Sequence, residues 1–457
     1  MTAAHAREAE AEGRAPGERS WYCWAYNTIG AALGVITAPL WGAYVALSPK
    51  YRANFAARMG RGLAALEKRL AARPNIWIHA VSVGEFNLAF TVLQRLRPCY
   101  PRHQFVVTVT TLTGFALARE RLAPGDVLLY FPFEWWHVMR RAVRAVRPQL
   151  AIIVETEIWP NFIYNLSRDR VPCILVNGRI SAKSFRRYRL VKPFMRDILS
   201  RFARFNMQTT LDAERIIALG APPERVQVTG NIKFDAARIV AHPAPDAALA
   251  AEIGLPPGTP VFLAAALDKT GCEDAVMLDV WERVRQRVAD AALIIVPRHP
   301  ERGDGIAALV ASRGYVPRRR SLREQFTSPR SEVFILDTIG ELGRFYTLAR
   351  AAFVGKSMFP PGGGQNMLEP VGLGVPTLYG PYTANFRGIA DVLVEHGGAL
   401  LVRTPEELAA ALIDLWSAPE RAAQLAARGQ DFIRSQQGAL QANLDAITAL
   451  LPPGDKE

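Results

Sequence analysis

Ile76-Trp-Ile-His-Ala-Val-Ser-Val-Gly-Glu85 is the stretch on which the fold turns. Its first half is a short, almost continuous apolar run, and its second half is a turn of small residues closed by an acid. Such a run reads as a β-strand covered on both faces, the pattern of a parallel sheet. The strand expected here is Ile76–Val83. Glycine at a strand-to-helix turn lets backbone and ligand approach closely. A carboxylate just after it sits at a helix N-terminus, where it can act as general base on a hydroxyl. It can equally be a first-turn Glu favoured by the helix dipole.

The same unit recurs outward along the chain. Apolar runs rich in Val, Ile and Leu stand at Phe105–Thr111, Val127–Phe131, Leu150–Glu155, Cys173–Asn177, Phe205–Thr209 and Val226–Gly230, with helical segments between them. A second series follows at Pro260–Ala266, Ala292–Pro297, Val333–Asp337, Ala351–Gly355, Pro376–Gly380 and Ala399–Val402. Two such series predict two doubly wound α/β domains, whose ligands bind beyond the carboxyl ends of the strands. Facing each other, they make a cleft suited to joining two substrates. The proline-rich stretch around 237–258 reads as the linker. The expected division is a polar tail at 1–20, a membrane anchor at 21–49, an N-terminal domain at 50–236, a C-terminal domain at 259–430, and a closing helix and tail at 431–457.

From Trp21 to Pro49 no charged residue occurs, a stretch longer than the roughly 20 residues that span a bilayer. Trp21, Tyr22, Trp24 and Tyr26 at one end and Trp41 and Tyr44 near the other resemble interfacial aromatic belts, while Pro39 kinks a helix. Residues 1–20 hold three Arg and four Glu, whereas 50–73 hold seven Lys or Arg and one Glu. The positive-inside rule then leaves the rest of the chain in the cytoplasm. The segment reads either as a spanning helix or as one lying in the interface. A cleaved signal peptide fits worse, because the start is acidic and the apolar stretch long.

The net charge of +13 over 457 residues favours anionic partners. Residues 183–204 concentrate it in Lys183, Arg186, Arg187, Arg189, Lys192, Arg196, Arg201 and Arg204, a solvated face or a surface for lipid phosphates. No nucleic-acid-binding fold is recognisable. Cys23, Cys99, Cys173 and Cys272 make no C-x-x-C pair, so neither a zinc site nor a redox motif is indicated.

Other polar motifs stand at strand ends. Thr110-Thr-Leu-Thr-Gly114 can bind an anion or cap a helix. Glu155-Thr-Glu-Ile-Trp-Pro160 places two carboxylates two residues apart, on one side of an extended segment. They suit sugar hydroxyls or a capping role. Arg179 in Asn177-Gly-Arg-Ile-Ser181 and the pair Arg298 and His299 are candidates for acid or phosphate groups. Asp337–Leu342, Gly355-Lys-Ser357 and Gly362-Gly-Gly-Gln-Asn-Met-Leu-Glu-Pro370 follow in the second half. A glycine run opening a helix offers amides to an anion, and Glu369 one turn on can accept from a ribose.

Taken in order, His79–Glu85, Thr110–Gly114, Glu155–Asn161, Asn177–Ser181, Gly230–Asp235, Val296–Arg302, Asp337–Leu342 and Gly363–Pro370 resemble the 3-deoxy-D-manno-octulosonic acid (Kdo) transferases of lipopolysaccharide assembly. That resemblance implies a GT-B fold, two Rossmann-like domains facing a cleft, with an N-terminal membrane-anchor helix at the cell inner membrane. It implies inverting transfer from CMP-Kdo to a lipid A precursor, with neither metal nor other cofactor. By position Glu85 is the expected base. The acceptor set is Ser82, Gly84, Thr111, Thr113, Glu155, Glu157 and Arg179. The donor set is Arg298, His299, Gly340, Glu341, Ser357, Gly363, Gly364, Asn366 and Glu369. The chain departs from the family pattern at Ala264–Asp274, which lacks a Ser-Thr-His run, at Gln365 in place of His, and at Glu134 in place of Asp. A divergent paralogue with another activated acid sugar or acceptor, or a silent membrane-bound scaffold, are the competing readings.

Overall fold

A computed structural model describes residues 20–237, 239–240, 244–268, 273–288 and 290–452. Two compact units divide the chain. The first runs up to Lys233 and takes in the stretch from Gly438 onward; the second is Phe234–Gln437.

The first unit is a seven-stranded sheet of β1 (Asn75–Ala80), β2 (Gln104–Val109), β3 (Val127–Tyr130), β4 (Pro148–Val154), β5 (Cys173–Gly178), β6 (Arg204–Met207) and β7 (Val226–Val228). Their order is β3-β2-β1-β4-β5-β6-β7, and every pairing is parallel. All six residues of β1 are buried. Ile76, Ile78 and Ala80 pack with Phe86, Val92 and Ile447 on one face, and Trp77 packs with Met139 and Phe162 on the other. This two-sided burial is why the run shows no alternation. β1 ends at Ala80 rather than Val83, because Ser82 caps the helix Val83–Leu96.

The second unit repeats the plan with β8 (Val261–Leu267), β9 (Ala292–Pro297), β10 (Val316–Arg319), β11 (Glu332–Ile335), β12 (Ala349–Val354), β13 (Thr377–Tyr379) and β14 (Leu400–Leu401). The order is β10-β11-β9-β8-β12-β13-β14, again all parallel. Phe262 and Ala264 face one core cluster, Leu263 and Ala265 the other.

Three expectations change. The boundary falls at Lys233/Phe234, and the expected linker belongs to the second unit. Its helix Ala247–Glu252 buries Leu249 against Val261 and Phe345. The closing helix Ala439–Leu450 returns to the first unit, where Ile447 joins the β1 cluster and Asn443 accepts a hydrogen bond from Asn206 Nδ2 (3.0 Å). The expected anchor does form a helix, Trp21–Leu47, but no helix among the described residues is long and apolar enough to cross a membrane. Tyr, Trp, Asn27 and Thr28 in its first two turns, glycines and Pro39 dilute its apolar character. Residues 1–19 of the polar tail lie outside the described residues.

The helix's start is docked on the first unit. Asn27 and Asn161 exchange amide hydrogen bonds (2.8 and 3.0 Å), Ser20 Oγ donates to Asp197 (2.7 Å), and Tyr26 stacks on Phe194 at 5.5 Å. Further along, Ile29, Leu33, Val35, Ile36 and Leu40 are exposed.

Candidate active site

In a doubly wound sheet the ligand crevice opens where the strand order reverses. In the first unit that point lies between β1 and β4. The residues that leave those two strands are Val81–Glu85 and Glu155–Glu157.

Ser82 is the N-cap of the helix Val83–Leu96, accepting from Glu85 N (3.5 Å). Glu85 answers with both oxygens: Oε2 accepts from Val81 N (2.6 Å) and Oε1 from Ser82 Oγ (3.1 Å). The capping role weighed from sequence is therefore real. It does not exhaust the group, since a carboxylate has about four acceptor sites. Burial holds the Glu85 carboxyl above its ordinary range, against the pull of the Val81 amide; Glu155 pushes the same way and Lys233 opposes. A half-buried carboxylate of raised pKa is a stronger base than a solvated one. Gly84 has an ordinary φ, and a side chain there would meet nothing nearer than Ser82 Oγ at 3.9 Å. Neither conformation nor packing requires glycine, and its absent side chain leaves the helix start uncovered.

Glu155 sits at φ +60°, so the segment is not extended there, contrary to the simple two-residue spacing. Such a conformation costs a non-glycine residue about 1–3 kcal/mol. Its Oε1 lies 3.6 Å from Lys233 Nζ. Glu157 is pushed up to about 7, first by burial and then by the Glu85 carboxylate. Glu85, Glu155 and Glu157 thus feel one another, with Lys233 as a countercharge that sequence reading did not single out. Among the described residues no three His, Cys, Asp or Glu are grouped to hold a metal ion.

Thr111 caps the next helix, Leu112–Arg121, accepting from Gly114 N (3.2 Å), and Thr113 is exposed. The amides of Thr110 and Thr111 both reach Val81 O (3.2 and 3.1 Å), stitching the turn after β2 to the turn after β1. Arg179 is exposed, and its amide donates to Thr156 Oγ1 (3.0 Å), so the turn after β5 joins the same cluster. His79, within the opening stretch, is fully buried. It stacks on Phe131 at 3.8 Å, shares Thr108 Oγ1 (3.1 Å), and is driven down to about 3 by burial. A histidine held neutral in this way is framework rather than a proton carrier. Glu134, the departure from Asp, is half-buried with its carboxyl enclosed and pushed up to about 8 by desolvation; it accepts from Asn161 N at the start of the helix Pro160–Arg168.

In the second unit the order reverses between β8 and β12. Glu273, 1% exposed, ties the two strand ends together. Its Oε2 accepts from Asp268 N (3.0 Å) and Lys356 N (2.7 Å), its Oε1 from Ser357 N (3.0 Å) and Met358 N (3.1 Å). Burial raises its carboxyl against the pull of these four amides. Sequence reading passed Glu273 over, because one Glu at a helix start carries no mark of this role. Lys269–Cys272, in the departing segment, lie outside the described residues.

Several residues expected on the donor side have local partners, and one expectation, a glycine run that opens a helix, is corrected. Ser357 is buried and saturated: its hydroxyl donates to Val354 O (2.5 Å) and accepts from Gly380 N (2.9 Å). The glycine run opens no helix. Gly362, Gly363 and Gly364 all take positive φ in a loop, where Gly363 N donates to Tyr382 O (2.8 Å) and Gly364 N to Lys356 O (2.7 Å). The next helix, Leu368–Gly372, has only five residues, and Asn366 Oδ1 accepts from Leu368 N (3.2 Å). Glu341 is bound by Arg320 Nη2 (2.6 Å) and Thr338 Oγ1 (2.6 Å), which hold its carboxyl below the usual range. Gly340, at φ +90°, is an exposed turn residue beside it.

Arg298 and His299 are exposed just beyond β9, with Arg298 N on Leu267 O (2.8 Å) and His299 Nδ1 3.5 Å from Glu301. Glu369 is half-buried, its carboxyl raised by burial, and a side chain at Gly343 would approach its Oε1 to 3.2 Å.

Two seven-stranded parallel sheets, each doubly wound, make a GT-B-like pair of domains, and solved structures agree. A glycosyltransferase from Rickettsia africae superposes with a TM-score of 0.53 at 11% identity, covering 84% of this chain and 100% of that one. A UDP-N-acetylglucosamine 2-epimerase of Listeria monocytogenes gives 0.52 at 14% identity, over 84% and 98%. The fold is GT-B-like. Sequence narrows the class. Residues 53–236 match the family model of 3-deoxy-D-manno-octulosonic-acid transferase. The Kdo transferase of Haemophilus influenzae is 32% identical over 88% of this chain and 93% of its own, and that of Bordetella pertussis 31% identical over 86% and 90%. The chain belongs to the Kdo transferase family, and so to the glycosyltransferases.

Proposed function

We propose that this chain moves Kdo from CMP-Kdo to a hydroxyl of a lipid A precursor, with inversion, in lipopolysaccharide assembly. The observation that carries the residue assignment is Glu85 at the β1/β4 reversal, its carboxyl raised by burial beside Glu155 and Glu157. Glu85 takes the proton of the acceptor hydroxyl, whose oxygen bonds to the anomeric carbon. The bond from that carbon to the CMP phosphate breaks, and its electron pair leaves with CMP. Positive charge fixed near that phosphate lowers the barrier. Arg298, exposed at the end of β9, and Glu369 are the donor residues this reading retains. Ser82, Gly84, Arg179 and the two other carboxylates are assigned to the acceptor.

In the same proposal the enzyme works at the cytoplasmic side of the inner membrane, with its N-terminal helix lying in the interface. Its exposed Ile29, Leu33, Ile36 and Leu40 recur at helical spacing on one face. Through Tyr22 and Tyr26 on Phe194 the helix is packed beside the basic stretch of Lys192 and Arg196. The neighbouring helix Ala182–Arg189 buries no residue and carries Lys183, Arg186, Arg187 and Arg189, which suits an anionic lipid surface.

The test is transfer by purified protein in detergent with CMP-Kdo and lipid A precursor, reading CMP release and lipid mass together. Glu85→Gln is expected to lose about 10²–10⁴ in rate while still binding CMP. No product from the wild type overturns the substrate pair; undiminished transfer by Glu85→Gln removes Glu85 from the base role.

A further inference from the structure

Ser357 was the polar residue that sequence pointed to after β12, and its hydroxyl is spent inside the loop. Its neighbour is the better-placed group. Lys356 stands one residue past Gly355, directly beyond β12, on the β8/β12 reversal where a doubly wound sheet takes its ligand. Its Nζ lies 3.8 Å from Asp268 Oδ2, the first residue beyond β8, so the ammonium sits over the ends of both central strands. That spacing is too long for a hydrogen bond, and the Lys356 side chain remains 34% exposed.

The backbone beneath Lys356 is unusually constrained. Its φ is +57°, a region a lysine avoids unless the surroundings impose it. Three constraints do so. Its amide donates to the buried carboxylate of Glu273 (2.7 Å). Its carbonyl accepts from Gly364 N (2.7 Å). Gly355 N is pinned to Ala265 O (2.8 Å), and a Cβ at Gly355 would fall 2.8 Å from Ala266 O. Strain of this kind, over-determined on all sides, concentrates at ligand sites. The glycine loop therefore serves the lysine: the Gly364 amide closes the turn on which Lys356 is mounted.

We propose that Lys356, positioned by Glu273 and paired with Asp268, is the ammonium that receives the phosphate of the donor nucleotide. This rests on the CMP-Kdo reading above and assigns the phosphate contact within it. A compact ammonium on a fixed turn takes a phosphate as a point charge. The carboxylate of Asp268 keeps the cation oriented until the anion arrives.

The test compares CMP with cytidine, which lacks the phosphate, by calorimetric titration of the full chain in detergent. Lys356→Gln keeps the Cβ, and so the backbone strain, while removing the charge. It is expected to weaken CMP by about ten- to a hundredfold and to leave cytidine unchanged. Lys356→Arg is expected to recover part of the loss. CMP affinity within twofold of wild type in Lys356→Gln overturns the assignment. So does an equal loss for CMP and cytidine, which would mean a deformed loop. Failure of the wild type to bind CMP refutes instead the donor reading on which the assignment stands.

Discussion

Replacing Glu273 by Gln is the most searching perturbation of the second unit. The substitution keeps size and shape but turns one carboxylate oxygen into an amide donor. Each oxygen now serves two amides, Asp268 and Lys356 on one and Ser357 and Met358 on the other. Whichever way the new amide turns, two backbone donors face a donor. A buried N–H left without a partner costs about 1–3 kcal/mol, so two cost about 2–6 kcal/mol. Relief from burying a charge offsets part of this, leaving a net loss of about 2–4 kcal/mol. For a unit of some 200 residues each kcal/mol lowers Tm by about 2–4 °C, so the expected fall is about 5–15 °C. Calorimetry of the full chain measures it. A Tm within about 1 °C of wild type would show that the four contacts carry no net stability, and that the β8/β12 junction is held by something else.

Three further outcomes follow from other parts of the molecule. Glu157, pushed up to about 7 in the folded chain, binds its proton more tightly than in the unfolded chain. Its contribution is intact below the unfolded value of about 4.3 and is lost as pH rises through about 7. Glu157→Gln should therefore raise Tm at pH 8 and leave it unchanged near pH 4, and a thermal shift equal at both values contradicts the coupling. Gly355→Ala should destabilise by about 1–3 kcal/mol, because its methyl would lie 2.8 Å from Ala266 O and from Leu267 Cα; urea unfolding reads this, and a neutral result would mean the strand ends yield. Exchanging Leu33, Ile36 and Leu40 for Gln should weaken binding to anionic vesicles at least a hundredfold in flotation, since each buried apolar side chain contributes about 1.5–3 kcal/mol; unchanged flotation would leave the basic helix as the sole contact.

Much of the fold is legible because buried parallel strands announce themselves. β1 and β8 read as apolar runs for the physical reason that both faces are covered. β10 was missed because Val-Pro-Arg-Arg looks like a loop. It is an edge strand, and Arg318 and Arg319 are neutralised there by Glu332 (2.5 Å) and Asp337 (2.7 Å). The unit boundary was misplaced because proline marks turns, not domain breaks. The chain crosses at Lys233/Phe234, where composition is unremarkable. The closing helix has an apolar face that demands a partner without saying which unit supplies it.

The site was legible only to the level of residue type, and the acids show why. Glu85, Glu134, Glu273 and Glu341 all stand near helix starts, and in sequence each reads equally as cap or as chemistry. Their surroundings separate them. Glu273 is filled by four amides, Glu341 is held by Arg320 and Thr338, and the carboxyl of Glu134 is enclosed against the start of a helix. Among the described residues Glu85 accepts only from Val81 and Ser82; it remains partly open and carries a raised pKa beside two other carboxylates. A general base needs an acceptor site left over after its structural bonds are made. By that criterion Glu273 and Glu341 are braces and the Glu134 carboxyl is closed off by burial, whereas Glu85 keeps the open acceptor site that its proposed role as base requires.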